Sequence, residues 1–424
     1  MAIVKKITRI VLSVVLVCII VLNVLLVVGT FFTSIPVFGT IANMFTVCFS
    51  HQWLPYVFIV TALCIVLARA YKSRLLRIAW IVSAASLACG AIIIASAVCS
   101  VNANGGNANY FQSYTSTSYN DVTSETIQYE HSISDQSLLD IYYKDDGCSN
   151  KPVVLYIHGG GWSGGSRNED SSYLQQFAEN GYVAVAADYD LSSQDRHGAQ
   201  TVEQQLTYAV AWITNHASSY GGDTNRFYII GDSAGGNLAL DIAYKINNGV
   251  YAMVTNQIEN SSGETANAST EQLSEATTEV VSGETTEETT LPKVAAVSVL
   301  YPVTDMTACY SNDYPLFTNL AHKMVSDYMG ATPEEDPTLY ADRSPINQVT
   351  NSSPATCILV GSHDTAVSPS QSYTLQNQLE NAGVDNTLIS VPFANHLFDM
   401  GGTNFGAQAY MNITLDWFSN HLFS

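Results

Sequence analysis

A serine held between glycines at the junction of a strand and a helix is the strongest chemical signal in this chain. Tyr228-Ile229-Ile230 is an apolar, β-prone run that stops at Gly231-Asp232-Ser233-Ala234-Gly235, and Gly236-Asn237-Leu238-Ala239 reads on as helix. Gly-x-Ser-x-Gly in that setting is a nucleophile elbow, which presents the serine hydroxyl on a tight, exposed turn at a helix start. The flanking glycines have a mechanical role, because side chains there would strike neighbouring backbone. A serine hydroxyl needs a base, a carboxylate to orient that base, and donors for the oxyanion.

With an elbow of this kind the partners follow in the order Ser, acid, His, at strand ends. After the apolar run 357–360 comes Gly361-Ser362-His363-Asp364, and after the next strand comes Pro392-Phe393-Ala394-Asn395-His396. Asp364 is the expected acid and His396 the expected base. Asp305, in Tyr301-Pro302-Val303-Thr304-Asp305, is the rival acid. His363 sits beside the acid and ahead of the last strand, and His421 lies in a terminal helix, so both are expected to be structural or surface residues. Upstream, His158-Gly159-Gly160-Gly161-Trp162 follows an apolar strand. Its glycines let backbone N–H groups turn inward and, with the N–H of Ala234, hold a developing oxyanion. Trp162 is expected to pack that loop. This chemistry calls for no metal and no cofactor.

The elements that position these residues alternate. Strands are expected at 138–143, 153–157, 182–187, 227–230, 294–300, 356–360 and 387–391, and helices at 171–180, 201–216, from the elbow to about 246, 370–382 and 410–422. Short apolar runs alternating with helical periodicity imply a largely parallel sheet covered on both faces, an α/β fold. Residues 303–345 read as irregular with short helical patches. Residues 255–290 are rich in Glu, Thr, Ser and Asn with scarcely any large apolar side chain. That composition predicts a disordered acidic insertion.

The first hundred residues differ in kind. They hold seven Lys/Arg and no Asp or Glu, whereas residues 101–424 hold nine Lys/Arg against all 37 Asp/Glu, a formal charge of −28. Such a charge argues against nucleic-acid binding. Three apolar stretches, 7–30, 53–68 and 78–98, are expected to cross a bilayer, making residues 1–100 a membrane anchor. Lys5 and Lys6 precede the first stretch and Arg9 lies at its start, and Arg69, Lys72, Arg74 and Arg77 lie between the second and third, while the loop 31–52 contains no Lys or Arg. The positive-inside rule then puts the N-terminus and the 69–77 loop in the cytoplasm and everything after residue 100 outside it, at the plasma membrane. Residues 101–124, rich in Asn, Gly, Ser, Thr and Tyr, read as a linker, and 125–424 as the catalytic domain. Five of the eight cysteines lie in the anchor, and Cys148, Cys309 and Cys357 are too few and too scattered for a disulfide framework or a zinc site.

His-Gly-Gly-Gly at 158–161 together with Gly-Asp-Ser-Ala-Gly-Gly at 231–236 resembles the hormone-sensitive-lipase-like esterases of the α/β-hydrolase family, over roughly residues 125–424. Tyr220-Gly221-Gly222-Asp223 and Gly361-Ser362-His363-Asp364 are similar to that family as well. The resemblance implies Ser233, Asp364 and His396 as a catalytic triad and Gly160, Gly161 and Ala234 as oxyanion donors. Two features depart from the family pattern. Asp188-Tyr189-Asp190-Leu191-Ser192 stands where the family carries Asp-Tyr-Arg-Leu-Ala-Pro-Glu, and the family's N-terminal helical cap is replaced by apolar spans, leaving 303–345 to supply a lid. The expected function is a membrane-anchored serine esterase acting on a small-molecule or glycan ester. A serine peptidase of prolyl-oligopeptidase type and a non-catalytic binding protein on a hydrolase fold are the alternatives. The oligomeric state is not legible.

Overall fold

The computed structural model describes all residues except 1, 34–37, 115–118, 120, 130–136, 252, 258–285, 313–317 and 423–424. Its core is an eight-stranded sheet. The strands in chain order are β1 Thr123–Gln128, β2 Leu138–Tyr143, β3 Lys151–Ile157, β4 Val183–Ala187, β5 Gly222–Asp232, β8 Val294–Leu300, β9 Ala355–Gly361 and β10 Asn386–Val391, with β6 Met253–Gln257 and β7 Thr286–Thr290 forming a separate pair. The order across the large sheet is β1-β2-β4-β3-β5-β8-β9-β10. Only β2 runs against its neighbours; the rest pair in parallel. The central strands are apolar on both faces, as a doubly covered parallel sheet demands. Along β3, Val153, Leu155 and Ile157 join one core layer while Val154 and Tyr156 join the other.

Helices fill both layers. The chain-order set is α1 Ala2–Phe31, α2 Phe38–Cys48, α3 Ser50–Tyr71, α4 Arg74–Ala103, α5 Ser171–Glu179, α6 Val202–His216, α7 Ser233–Asn247, α8 Met306–Tyr310, α9 Thr318–Met329, α10 Pro337–Asp342, α11 Pro369–Ala382 and α12 Phe405–Asn420. Helices α6, α7 and α11 cover one face of the sheet and α5 and α12 the other. Because α7 follows β5 at the centre of the sheet, the turn between them lies where strand ends and helix starts converge, the usual place for a ligand in such folds.

Among the described residues α1, α3 and α4 are long and apolar enough to cross a membrane. Thr61 and Ser83 pair their hydroxyls between α3 and α4, and Leu16, Ile20, Val60, Cys64 and Leu76 close a small core among the three. At one end the Arg9 guanidinium donates to the Tyr71 carbonyl and lies 4.4 Å from the Tyr71 ring. At the other end α4 runs on without a break into the sheet domain, where Ile93, Ile94, Ala97 and Val101 join the core layer of α5 and α12.

Three expectations need correction here. Residues 101–124 do not read as a free linker where they are described. Asn412 donates to the Gly106 carbonyl at 2.7 Å and the Gln408 side chain accepts from Asn109 N–H at 2.9 Å, because Gly106 lets the chain come close to Ala409 on α12. The stretch 31–52, read as a loop, contains α2. The acidic insertion 255–290 begins and ends in the paired strands β6 and β7, with Thr255 opposite Glu288; its centre, 258–285, lies outside the described residues.

Candidate active site

The elbow sits where β5 meets α7. Ser233 is the first residue of α7 and has φ = +52°, a left-handed value that a non-glycine residue adopts only under constraint. A Cβ on Gly235 would overlap the carbonyl oxygens of Ile157 and His158, so the strand neighbour fixes a glycine there. The constraint holds the serine hydroxyl away from the helix and toward a cavity.

His396 and Asp364 arrive from the ends of β10 and β9. The Ser233 Oγ lies 2.9 Å from His396 Nε2, and His396 Nδ1 lies 2.7 Å from Asp364 Oδ2. Asp364 is wholly buried, and its other oxygen accepts from the N–H groups of Ala366 and Val367, both at 2.9 Å. Those bonds aim the carboxylate at the imidazole and fix the tautomer with the proton on Nδ1, leaving Nε2 as acceptor toward the serine. Asn395 ties the two loops together. Its Oδ1 accepts from Thr365 N–H at 2.9 Å and from His396 N–H at 2.7 Å.

The glycine loop after β3 faces the same cavity. Gly160 (φ = +104°) and Gly161 (φ = +60°) take backbone conformations that suit glycine, and both line the cavity beside Ser233 and Ala234. Ala234 belongs to the first turn of α7, whose N–H groups have no partner within the helix. Trp162 stacks on Tyr328 of α9, ring centroids 4.8 Å apart, and Met324 of α9 covers Gly161. Within 303–345, then, α9 is what roofs the glycine loop.

Other sequence candidates are not part of this arrangement. Asp305 caps α8, accepting from Ala308 N–H at 2.9 Å. His363 stacks on Phe393, and His421 pairs with Asp385 at 3.1 Å. All eight cysteines are unpaired. Among the described residues no group of His, Cys, Asp and Glu is placed to hold a metal ion.

Beneath the site lies a carboxyl–tyrosine network that the sequence did not announce. Tyr301 packs its ring 4.3 Å from that of His396 and donates to Asp399 at 2.6 Å, while Tyr173 donates to the other Asp399 oxygen at 2.8 Å. Tyr156 contacts Asp170 at 2.6 Å and Asp232 at 2.9 Å; Asp232 also accepts from Gly159 N–H at 3.1 Å. One tyrosine proton cannot serve two ionised carboxylates, so one of the pair must carry a proton itself. Burial supplies the reason, since it holds Asp232 well above the usual carboxylate range, raises Asp399 and pushes Asp170 up to about 6. The 188–192 departure is also accounted for. Asp188 accepts from Arg167 N–H at 2.7 Å and pairs with its guanidinium. Tyr189 stacks on His158 and donates to its carbonyl at 3.0 Å. These contacts brace the glycine loop.

A model of a family described as BD-FAE matches residues 139–379, more than half of the chain. Esterase LipQ of Mycobacterium tuberculosis is 26% identical over 273 residues, 63% of this chain and 56% of that protein. The chain spans about half the length of the curated relatives it matches. Among solved structures, esterase B of Lactobacillus rhamnosis superposes with a TM-score of 0.54 at 20% identity, covering 78% of this chain and 94% of that one. A bacterial heroin esterase gives 0.56 at 19%, covering 73% and 87%. These likenesses identify the sheet and its helices as an α/β-hydrolase fold.

Proposed function

The chain belongs to the BD-FAE family within the hormone-sensitive-lipase-like α/β-hydrolases, and from that premise we propose that it is a membrane-anchored serine esterase hydrolysing carboxylic esters. The observation that carries the reading is the unbroken relay from Ser233 Oγ through His396 to the buried Asp364. In this reading His396 Nε2 takes the Ser233 proton as the oxygen attacks the ester carbonyl. The N–H groups of Gly160, Gly161 and Ala234 receive the developing oxyanion, aided by the positive end of α7. The imidazolium then gives its proton to the departing alcohol, leaving an acyl group on Ser233. Water, deprotonated by His396, attacks that ester in turn, and the carboxylate product leaves with the serine restored. Asp364 stabilises the imidazolium in both halves.

The test is turnover of a soluble nitrophenyl ester by the purified full chain. Asp364→Asn should lose about 10⁴-fold by favouring the wrong imidazole tautomer, while Asp305→Asn, which only uncaps α8, should lose far less. A wild-type chain without turnover, or an Asp364→Asn variant as active as wild type, contradicts the assignment. Helices α1, α3 and α4 are read as membrane spans, with the basic residues Lys5, Lys6, Arg9, Arg69, Lys72, Arg74 and Arg77 on the cytoplasmic side and the sheet domain outside the cytoplasm, at the plasma membrane. A reporter active only outside the cytoplasm should be on when fused after residue 110 and off when fused near Ser73. The opposite pattern would reverse the orientation.

A further inference from the structure

Resting on the esterase reading, we propose that the substrate is a lipid-borne ester drawn from the bilayer, and that α2 is the element that admits its apolar chain to Ser233. The cavity in front of Ser233, about 240 Å³, is walled by Met44 from α2, Leu320 and Met324 from α9, and Val303, Val367 and Leu397 from the sheet domain. Among the described residues its lining is mostly apolar, and Ser233, His396 and the backbone of the glycine loop bring polar groups to it around the reacting centre. Such a wall suits a hydrocarbon chain and offers nothing to the hydroxyls of a sugar, which would lose their water without replacement.

Met44 is the unusual member, because it comes from the anchor. Helix α2 connects two apolar helices, and residues 10–68 contain no Asp, Glu, Lys or Arg. Its 11 residues make a rod of roughly 16 Å, too short for a hydrocarbon core of about 30 Å. Tethered to the ends of α1 and α3 nearest the sheet domain, it can only lie along that face of the bilayer. One side of α2 is buried, with Ala42, Asn43, Thr46 and Val47, while Ile41 and Phe45 are 40% and 51% exposed. Phe31 and Phe32, at the end of α1, are exposed too.

The same helix is fastened to the loop that carries His396. Asn43 donates to the Phe393 carbonyl at 2.7 Å, Asn395 donates to the Thr40 carbonyl at 3.4 Å, and Asn404 donates to the Cys48 carbonyl at 3.4 Å. Phe31 meets Phe393 edge to face at 5.3 Å. The bilayer surface is thereby set at a fixed, short distance from the reacting centre. On the proposed route an acyl chain leaving the membrane passes the exposed Ile41 and Phe45 on α2 and enters the cavity beside Met44.

The experiment uses the full chain in phosphatidylcholine vesicles with two substrates, water-soluble nitrophenyl acetate and nitrophenyl palmitate dissolved in the bilayer. The wild type should turn over both. Met44→Trp, which fills the cavity, should cut the palmitate-to-acetate ratio about tenfold or more. Met44→Ala, which enlarges it, should raise the ratio, so the pair reads the cavity even if one variant folds poorly. Ile41→Glu with Phe45→Glu, charging the side of α2 away from the sheet domain, should lower the ratio in vesicles. Acetate turnover without palmitate turnover overturns the lipid proposal and leaves the esterase reading standing, as does a ratio that neither Met44 variant changes. A wild type that hydrolyses neither ester overturns the esterase reading beneath it.

Discussion

The two ends of α7 put charged and polar side chains to opposite uses. At the C-terminal end Lys245, 2% exposed, meets Glu203 at 2.5 Å, Asp241 at 3.1 Å and Asp342 at 3.2 Å, and Arg343 meets Glu203 at 2.5 Å. Two cations face three carboxylates there, burial raises the pKa of Asp241 against the pull of Lys245, and the lysine lies where the helix dipole favours positive charge. At the N-terminal end Ser233 holds a left-handed backbone, faces an open cavity, and rests on a network whose carboxyl groups resist ionisation. The difference teaches that a buried polar cluster is a candidate for chemistry when one of its members is constrained and faces space. A cluster whose charges pair chiefly with one another, with no strained nucleophile among them, is structure.

Lys245→Met is the sharpest way to break this comparison. It leaves Asp241 without its cation and Glu203 with Arg343 alone, and removal of one buried partner costs about 3–5 kcal/mol. Urea unfolding should register that loss, while ester turnover per folded molecule stays at the wild-type level. Lost turnover in a fully folded Lys245→Met protein would mean that the two ends of the helix are not separate devices.

A smaller effect is expected from Asp170→Asn at the other end. Burial raises the folded pKa of Asp170 to about 6, above the unfolded value of about 3.9. The folded state therefore binds this proton more tightly than the unfolded state. Its contribution to stability is fully present below about pH 4 and is lost as pH rises through about 6. Asparagine stays neutral throughout, so the melting temperature of the variant relative to wild type should climb between pH 4 and pH 7. A difference that does not vary with pH would show that Asp170 ionises freely in the folded chain.

Much of the frame was legible because local signals agreed. β2 and β8 have the bounds that their apolar runs predict, and α6 and α11 begin within a residue of expectation. The serine, the histidine and the acid could be named because each follows a strand in chain order. What stayed hidden depends on tertiary contact. β1, TSETIQ, is mostly exposed and polar and forms only by pairing with β2. Helix α12 starts at Phe405, five residues ahead of its apolar pattern, because the Asn404 side chain caps Ala407 N–H. The roles of Tyr156, Tyr301, Asp399 and Asn395 arise from residues far apart in the chain, although a buried tyrosine hydroxyl always raises the question of its partner. Met44 carried no signal of its own. Only the seating of α2 against the His396 loop brings it to the cavity.

The central claim is that Ser233 is a nucleophile held ready by His396. A fluorophosphonate mimics the tetrahedral intermediate and bonds covalently to a serine so activated. The full chain should take up one equivalent, mass spectrometry of the digested protein should place the adduct on the peptide carrying Ser233, and Ser233→Ala should take up none while remaining folded. An unlabelled wild type, or an adduct on a different serine that persists in Ser233→Ala, would contradict the account.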